Sequence, residues 1–406
     1  MSVNSQSQSQ LILVDLFAAA LQAVNGKNVV EKQLLESPIE GDIAVVAIGK
    51  AATSMMSGAQ NILNDQIQSA LIITKKDHCN ESFIWPCIEA GHPIPDEKSL
   101  EAGQQLLNFL SSIPENTQLL ALISGGASAL VDVLPDKMTL QDLQKMNQWL
   151  LSSGLGIHSM NRIRQSVSLI KGGKALQILS NNKVTQLAIS DVRYDDPEII
   201  GSGLFVSPKN NKPLPDDTPQ WLDPYIQMQP VQDKKVKAEV ETHIVANNEL
   251  ACQAVINKAK QDGHDVFYHG QNLYGDVFKV AEKIAEDLKQ AQSGIHIWGG
   301  ESTIELPKNQ GRGGRNQSLA LAIACEIENS KDLTVLVGAT DGTDGPTDDA
   351  GAIVDGQTLQ RGGDLEQAKE HLQKADAGTF LAEAGSLLST GPTGTNVMDL
   401  VIALKL

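Results

Sequence analysis

Residues 42–55 read DIAVVAIGKAATSM, and in them an uninterrupted apolar stretch runs directly into Gly49, Lys50 and a helix-forming segment. A short apolar run that ends in glycine is typical of a buried strand followed by a tight turn into a helix. The same alternation recurs along the chain, so the sequence predicts an α/β fold with mainly parallel sheet. Further strand-like runs occupy residues 70–74, 118–124, 184–190, 243–246, 295–298, 333–337 and 397–404, and helical spacing covers 51–63, 100–110, 140–153, 249–261, 277–290 and 317–328.

The chain has 406 residues, a length that favours two large domains or three small ones. Between residues 207 and 233 the alternation stops and prolines accumulate, which disfavours both helix and central strand. We therefore expect a domain boundary near Lys235. The expected division is a disordered Ser/Gln tail over 1–10, an N-terminal domain over 11–235 that includes the proline-rich segment, and a C-terminal domain over 236–406. The alternative for the proline-rich segment is one long functional lid.

The composition limits the classes of partner. The formal net charge is −17, so most of the surface repels a polyanion and a nucleic-acid partner is not expected. No basic residue precedes Lys27 and no uncharged apolar run has the length of a membrane span, so neither a targeting peptide nor a membrane partner is predicted. The four cysteines form no CxxC pair, which suggests neither a disulfide framework nor a structural zinc site. We expect a cytoplasmic protein in a reducing compartment, and a homo-oligomer is compatible with the sequence.

Two glycine loops in the first half of the chain follow strand-like runs. Lys50 begins a helix directly after Gly49, so its ammonium group and the helix N–H groups could hold an anion together; the alternative is a simple turn with a solvated lysine. The second loop lies in ISGGASAL, residues 123–130. Its exposed backbone N–H groups suit phosphate, although a tight turn needed for packing explains it equally well. The candidate cofactor-binding residues here are Gly49, Ser124, Gly125, Gly126 and Ser128.

A third glycine loop lies in IWGGESTIELPKNQGRGGRNQSLALAIA, residues 297–324. There Arg315 stands at the start of a long helix, where its charge opposes the helix dipole. No compensating group is visible in the local sequence, so the pattern favours an anion-binding role over a solvated loop. The candidate cofactor-binding residues here are Gly299, Gly300, Gly313, Gly314 and Asn316.

Two acidic loops could supply carboxylates. Asp341 and Asp344 lie in VGATDGTDGPTDDAGAIVDG, residues 337–356, and oxygen ligands on a flexible loop are what Mg²⁺ prefers. We predict these two residues, and next Glu301, as metal ligands; solvated acidic surface is the alternative. Asp191 ends a strand-like run and is a candidate base. His92, between Gly91 and Pro93, is more typical of a packed turn residue.

Taken together, these motifs resemble the glycerate kinase family that contains the MOFRL domain, whose members phosphorylate glycerate on the 2-hydroxyl. The resemblance rests on AIGKAA, EAGHPIPD, LISGGASALV, NRIRQSVSLIKGGKAL, ISDVRYDDP, GGESTIEL, GRGGRNQSLALA, TDGTDGPTDDAGAIVDG and TGPTGTNVMDL. It implies a Rossmann-like N-terminal domain, a MOFRL-containing α/β C-terminal domain and an active site in the interdomain cleft. It also implies ATP, Mg²⁺ and glycerate as ligands, and it places the family's catalytic lysine on Lys50 and its catalytic arginine on Arg315. The chain departs from the family at Ser166, where histidine is common, and at Arg193 and Tyr194, which bears on substrate preference.

Two other functions compete with this one. An NAD(P)H-dependent hydroxypyruvate reductase would act on the same three-carbon skeleton, but no strand runs directly into GxGxxG with an acidic residue about 20 positions on. A non-catalytic sugar-acid-binding protein would bind the ligand without turnover. A nicotinamide-dependent absorbance change separates the reductase from the kinase.

Overall fold

The computed structural model describes residues 7–79, 83–206, 213–227 and 238–406. The chain divides into two compact units. One consists of residues 25–246, and the other combines residues 247–406 with residues 1–24. The boundary predicted near Lys235 and much of the proline-rich segment lie outside the described residues.

The chain starts with two helices, α1 (Gln8–Ala23) and α2 (Gly26–Glu36). The prediction of a disordered tail is wrong for residues 8–10, because Ser7 and Gln10 form a capping box in which each side chain accepts a hydrogen bond from the other's backbone N–H. This Ser-x-x-Gln pattern starts a helix despite its low complexity; residues 1–6 lie outside the described part.

Among the described residues no single helix is long and apolar enough to cross a membrane, whereas α1 and α2 reach that length and composition only when taken together.

The unit of residues 25–246 contains a six-stranded sheet in which every neighbouring pair is parallel. The spatial order β3-β2-β1-β4-β5-β6 is that of a Rossmann-like sheet, and all of β1 is buried, so the predicted parallel sheet is confirmed. The carboxyl ends of all six strands therefore lie at one edge. The strands are β1 (Ile43–Ile48), β2 (Ile67–Lys75), β3 (Cys87–Ala90), β4 (Gln118–Ile123), β5 (Lys183–Ile189) and β6 (Glu239–Ala246), and the helices after α2 are α3 (Ala52–Leu63), α4 (Glu97–Ser112), α5 (Ala127–Leu130), α6 (Leu140–Ser152), α7 (Ile157–Val167) and α8 (Asp223–Gln227).

The other unit contains a second six-stranded sheet, and this one is mainly antiparallel. Its strands are β7 (Val266–Tyr268), β9 (Gly294–Gly300), β11 (Leu333–Ala339), β12 (Gly351–Asp355), β13 (Leu387–Leu388) and β14 (Asp399–Lys405), in the order β13-β12-β11-β14-β9-β7, with β8 (Gly275–Asp276) and β10 (Ser302–Thr303) forming a separate pair. Only β7 and β9 are parallel in the large sheet. The prediction of mainly parallel sheet is wrong here, because the connection over 340–350 contains no crossover helix and the chain returns antiparallel.

The helices of this unit include one that is almost completely buried. They are α9 (Asn248–Gln261), α10 (Val277–Gln290), α11 (Arg315–Glu326), α12 (Thr358–Gly362), α13 (Leu365–Gln373) and α14 (Ala377–Glu383). Residues 316–324 of α11 are all buried, and its apolar side chains belong to the core of the unit. A helix buried on all sides is a rigid support for groups held at its first turn.

Cys79 and Cys87 form a disulfide bond, with their Cα atoms 6.0 Å apart. The sequence-based expectation of no disulfide is therefore wrong for this pair. Its two residues are eight positions apart, which matches no short cysteine motif, and they meet because β3 begins at Cys87 alongside β2. Cys252 and Cys325 are free thiols.

Candidate active site

The loops that follow β1 and β4 are joined directly to each other. Gly49 has a φ of +130°, and a Cβ atom there would lie 2.5 Å from the carbonyl oxygen of Ser124, so only glycine fits. The Lys50 N–H donates to the carbonyl oxygen of Gly125 at 2.9 Å, and the Ala51 N–H donates to Ser124 Oγ at 3.0 Å. The predicted residues of these two loops are thus brought together at the edge where β1 and β4 lead the chain in opposite directions, the usual ligand position in such sheets.

Gly126 is the meeting point of three loops. Its φ is +85°, and an added Cβ would lie 2.9 Å from Cδ2 of His92 and 3.3 Å from Cγ of Lys50. His92 arrives from the loop after β3 and lies beside the lysine that the sequence singled out. The sequence pattern suggested only a packed turn for His92, because its neighbours Lys50 and Gly126 are distant in the chain.

Ser128 and Asp191 lie at the same edge of the sheet with different surroundings. The Oγ atoms of Ser128 and Ser202 are 2.8 Å apart, and Ser202 Oγ donates to Oδ1 of Asn161 at 2.9 Å. Ser128 is therefore part of a network of protein hydrogen bonds. Asp191 is half-buried and follows the carboxyl end of β5, the strand next to β4, as a base at this edge requires.

In the other unit, Arg315 is held by two carboxylates. Its Nε and Nη2 atoms donate to the two oxygens of Asp399 at 2.7 and 3.0 Å, and Nη2 lies 2.9 Å from Oε1 of Glu301. Asp399 is only 1% exposed. Burial alone would lower the pKa of Arg315, but the charges of Asp399 and Glu301 outweigh it and raise the pKa above its usual value. The local sequence shows no compensating group for Arg315 because its partner Asp399 lies 84 positions later in the chain.

This arrangement leaves one edge of the Arg315 guanidinium unused. Nη1 has no partner among the described residues and is not buried. Both of its N–H groups can therefore donate to an anion while the opposite edge stays fixed. A guanidinium preorganised in this way presents a planar pair of donors.

Asp344 closes the first turn of α11. It is 1% exposed, and its two oxygens accept hydrogen bonds from the backbone N–H groups of Asn316 at 3.0 Å and Gln317 at 2.7 Å. Burial raises the pKa of Asp344 to about 7, although the two backbone hydrogen bonds act in the opposite direction. A Cβ atom at Gly314 would lie 2.3 Å from Asp344 Oδ1, so this glycine is required by the cap itself.

The three predicted metal ligands do not form a preassembled metal site. Asp344 uses both oxygens on α11, Glu301 pairs with Arg315, and Asp341 Oδ1 accepts from the backbone N–H of Thr343 at 3.0 Å. Within the described parts of the chain, no group of three or more metal-ligating side chains lies close enough to hold an ion. These residues therefore fit at most a metal that arrives with its own phosphate ligands.

The remaining predicted residues are Gly313 and Asn316 at the start of α11 and Gly299 and Gly300 at the end of β9. Gly313 has a φ of +139° beside the backbone of Gly378, and Gly300 has a φ of +127° beside Leu273 and Tyr274. The amide side chain of Asn316 is fully buried, and neither of its polar atoms has a partner among the described residues. A buried polar group left in this state normally has a functional or structural reason.

Asn248 is a residue that the sequence did not single out. Its Nδ2 donates to the carbonyl oxygens of Val397 at 2.9 Å and Asp399 at 3.0 Å, which fixes the start of β14. Gly299 is required beside it, because a Cβ there would lie 2.0 Å from Asn248 Oδ1. Asn248 and Asp399 hold Arg315 in place. Asp399 lies within the TGPTGTNVMDL motif, which was the only signal that could have found it.

Comparison with known proteins accounts for almost the whole chain. Residues 12–224 match the model described as a domain of unknown function (DUF4147), and residues 294–399 match the MOFRL family. A glycerate 2-kinase from Pyrococcus horikoshii is 34% identical, with 96% of this chain and 93% of that protein covered. A putative hydroxypyruvate reductase from Agrobacterium vitis is 32% identical, with 98% and 95% covered. The crystal structure of a glycerate kinase from Thermotoga maritima superimposes with a TM-score of 0.84 at 30% identity, with 98% and 99% covered. With both family models matched in this order and these relatives aligned over nearly their full lengths, the chain belongs to the glycerate kinase family that carries a MOFRL domain.

Proposed function

We propose that this protein transfers the γ-phosphoryl group of ATP to the 2-hydroxyl of D-glycerate and releases ADP and 2-phosphoglycerate. The observation that carries the proposal is the full-length similarity to relatives named glycerate 2-kinase. The two loops with charged donors, at Lys50 and at Arg315, supply what phosphoryl transfer needs most, namely positioning and neutralisation of the moving oxygens.

In the proposed reaction the 2-hydroxyl oxygen attacks the γ-phosphorus and forms the new P–O bond. The bond from the γ-phosphorus to the bridging oxygen breaks, and its electrons leave with ADP. Asp191 accepts the hydroxyl proton, and its position after β5 supports that role. Lys50 donates to oxygens of the transferred group, and the open Nη1 edge of Arg315 donates to phosphate oxygens of the nucleotide. The loop glycines and Asn316 line the phosphate-binding turns.

Mg²⁺ is proposed as part of the metal–nucleotide complex rather than as a resident ion. Bound to ATP, it would neutralise phosphate charge. Asp341 and Glu301 are the carboxylates proposed to approach it, and Asp344 does not fit because both its oxygens cap α11.

A hydroxypyruvate reductase is the second candidate, because one full-length relative has that printed name. The glycine loop after β1 argues against a reductase, because its sequence GKAATS over residues 49–54 lacks the GxGxxG turn of dinucleotide-binding sites. A sugar-acid-binding protein without catalysis is the third.

One experiment separates the three candidates. The purified protein is incubated with D-glycerate, ATP and Mg²⁺, ADP release is followed, and ³¹P NMR resolves phosphorylation at the 2- and 3-positions. Parallel reactions contain L-glycerate, or EDTA, or NADH with hydroxypyruvate in place of ATP and glycerate. The proposal expects 2-phosphoglycerate only with D-glycerate, ATP and metal. NADH oxidation without ADP release would replace it with the reductase, and calorimetric binding without either turnover would favour the binding protein.

A further inference from the structure

In the interior of the unit of residues 25–246, basic side chains outnumber acidic ones at one place. Arg164, Lys171 and Lys174 surround the single carboxylate of Asp132, which is 1% exposed. Asp132 is fully committed: it accepts from Lys171 Nζ, from Ser168 Oγ at 2.6 Å and from the Val133 N–H at 2.9 Å. This cluster therefore contains three basic side chains and one acidic side chain.

Within the cluster, Arg164 has no carboxylate partner among the described residues. Its Nε donates to Asn147 Oδ1 and its Nη1 to Asn161 Oδ1, both at 3.4 Å. Desolvation by burial lowers the pKa of Arg164, and the charge of Asp132 only partly offsets this effect. The half-buried guanidinium has thus lost part of its hydration without gaining a carboxylate in direct contact among the described residues, a state that favours binding of an anion.

Two asparagines orient the guanidinium. Asn147 Nδ2 donates to the carbonyl oxygen of Leu143 at 3.1 Å, and Asn161 Nδ2 donates to that of Ile199 at 3.4 Å, so both side-chain oxygens face Arg164. Within the described parts of the chain, Nη2 has no partner, and it is not buried. Arg164 therefore presents Nη2 as its open donor.

The same network connects Arg164 to the carboxyl edge of the sheet. Asn161 Oδ1 also accepts from Ser202 Oγ, which lies 2.8 Å from Ser128 Oγ in the loop after β4. Next to Ser202, a Cβ atom at Gly201 would lie 3.2 Å from Ile123, the last residue of β4. The guanidinium is thus fixed relative to the edge where ligands of such sheets bind.

We propose that Arg164 binds the carboxylate of the acceptor hydroxy acid. This inference rests on the proposed function and assigns a substrate contact to a residue outside the loops of Lys50 and Arg315. The charges around the two arginines indicate which one binds the substrate carboxylate. Arg315 already pairs with Asp399 and Glu301. These two acids repel a free carboxylate, whereas a nucleotide brings its own cation to offset their charge. Arg164 forms no ion pair with a carboxylate among the described residues.

The test compares Arg164→Lys and Arg164→Gln with the wild-type enzyme in steady-state kinetics. D-glycerate is the charged acceptor, and D-glyceramide, its neutral amide, is the matched acceptor without a carboxylate. Loss of a hydrogen bond to a charged group predicts that KM for D-glycerate rises roughly ten- to hundred-fold, while kcat and KM for ATP change little. Activity toward the amide should stay at the wild-type level, so the preference for the acid collapses. Arg361→Lys is the matched control, a substitution of an exposed arginine that is paired with Asp355 at 3.0 Å in the other unit, and it should leave all constants unchanged.

The outcomes separate this inference from the proposed function. An active wild-type kinase whose Arg164 variants keep their KM for D-glycerate and their preference for the acid would overturn the inference alone, and so would a rise confined to KM for ATP. Circular dichroism and thermal melting check the fold; if both variants unfold, Arg164 is a structural residue and the inference is wrong. Should the wild type show no kinase activity, calorimetric titration with D-glycerate decides: weaker binding by Arg164→Gln supports the contact, and equal or absent binding refutes it.

Discussion

Replacing Arg315 by alanine tests both its chemistry and its packing. The change removes the cation from Asp399, which is 1% exposed, and leaves an uncompensated buried carboxylate. Breaking a buried ion pair by removing one partner costs about 3–5 kcal/mol. Because the Arg315 side chain is itself 34% exposed, we expect a somewhat smaller loss of about 2–4 kcal/mol, or a fall in Tm on the order of 5–10 °C. Loss of one charge-stabilising contact should also lower kcat about 100- to 1,000-fold.

A second substitution separates the two effects. The double variant Arg315→Ala/Asp399→Asn also removes the unpaired carboxylate of Asp399, so at least half of the lost stability should return. Its kcat should stay low because the guanidinium is still missing. Thermal melting and urea unfolding measure the first effect, and ADP release with D-glycerate measures the second. Arg361→Ala is the control: the arginine is 37% exposed, much like Arg315, but its partner Asp355 is 24% exposed, so the stability loss should stay below about 1 kcal/mol. An unchanged Tm for Arg315→Ala, or recovery of kcat in the double variant, would refute the reasoning.

Three further predictions follow from the same loops. Burial raises the pKa of Asp344 to about 7, so the folded state binds a proton that the unfolded state releases near pH 4. The free energy of unfolding should therefore fall as pH rises from 5 to 8, by about 2–3 kcal/mol more in the wild type than in Asp344→Asn. Urea unfolding measures this difference, and pH profiles that run parallel for the two proteins would contradict it. Asp341→Asn keeps the acceptor for the Thr343 N–H but removes the charge, so the apparent Mg²⁺ affinity in the kinase assay should weaken and Mn²⁺ should partly restore it; an unchanged metal titration would reduce Asp341 to a turn residue. Gly49→Ala places a Cβ 2.5 Å from the Ser124 carbonyl oxygen at a φ of +130°, which should cost more than about 2 kcal/mol in thermal or urea unfolding, whereas Gly41→Ala, at a φ of +90° in open space, should cost less.

Local patterns in the sequence predicted the parallel sheet of the unit of residues 25–246. The apolar run of β1 predicted a buried parallel strand, and the glycine after it marked the turn that approaches Ser124. In the other unit the same kind of run at β11 gave the strand but not its direction, because direction depends on the connection over 340–350 rather than on the strand itself. At the Ser/Gln start, the composition predicts a tail over residues 1–10, whereas the capping box of Ser7 and Gln10 starts helix α1 at Gln8.

The contacts that could not be predicted are those between residues far apart in the chain. Arg315 meets Asp399 across 84 positions, and Asn248 reaches the start of β14 across about 150. Cys79 and Cys87 are close in sequence, yet their pairing depends on where β3 lies beside β2. Periodicity and residue spacing do not predict such contacts, because the contacts depend on the order of the strands in the sheets.

Helix α1 belongs to the unit formed mainly by residues 247–406, and this has a consequence for synthesis on the ribosome. Its side chains Leu13, Leu16, Phe17 and Ala20 are buried, and it packs against α9, β11 and β14. Those partners emerge only after more than two hundred further residues, so the nascent helix must keep its apolar face covered or in contact with a chaperone while residues 25–246 fold. For the same reason, a fragment starting at residue 247 would expose to solvent the surface beside Gly338 that Phe17 covers, so an isolated form of this unit needs helix α1 as well as residues 247–406.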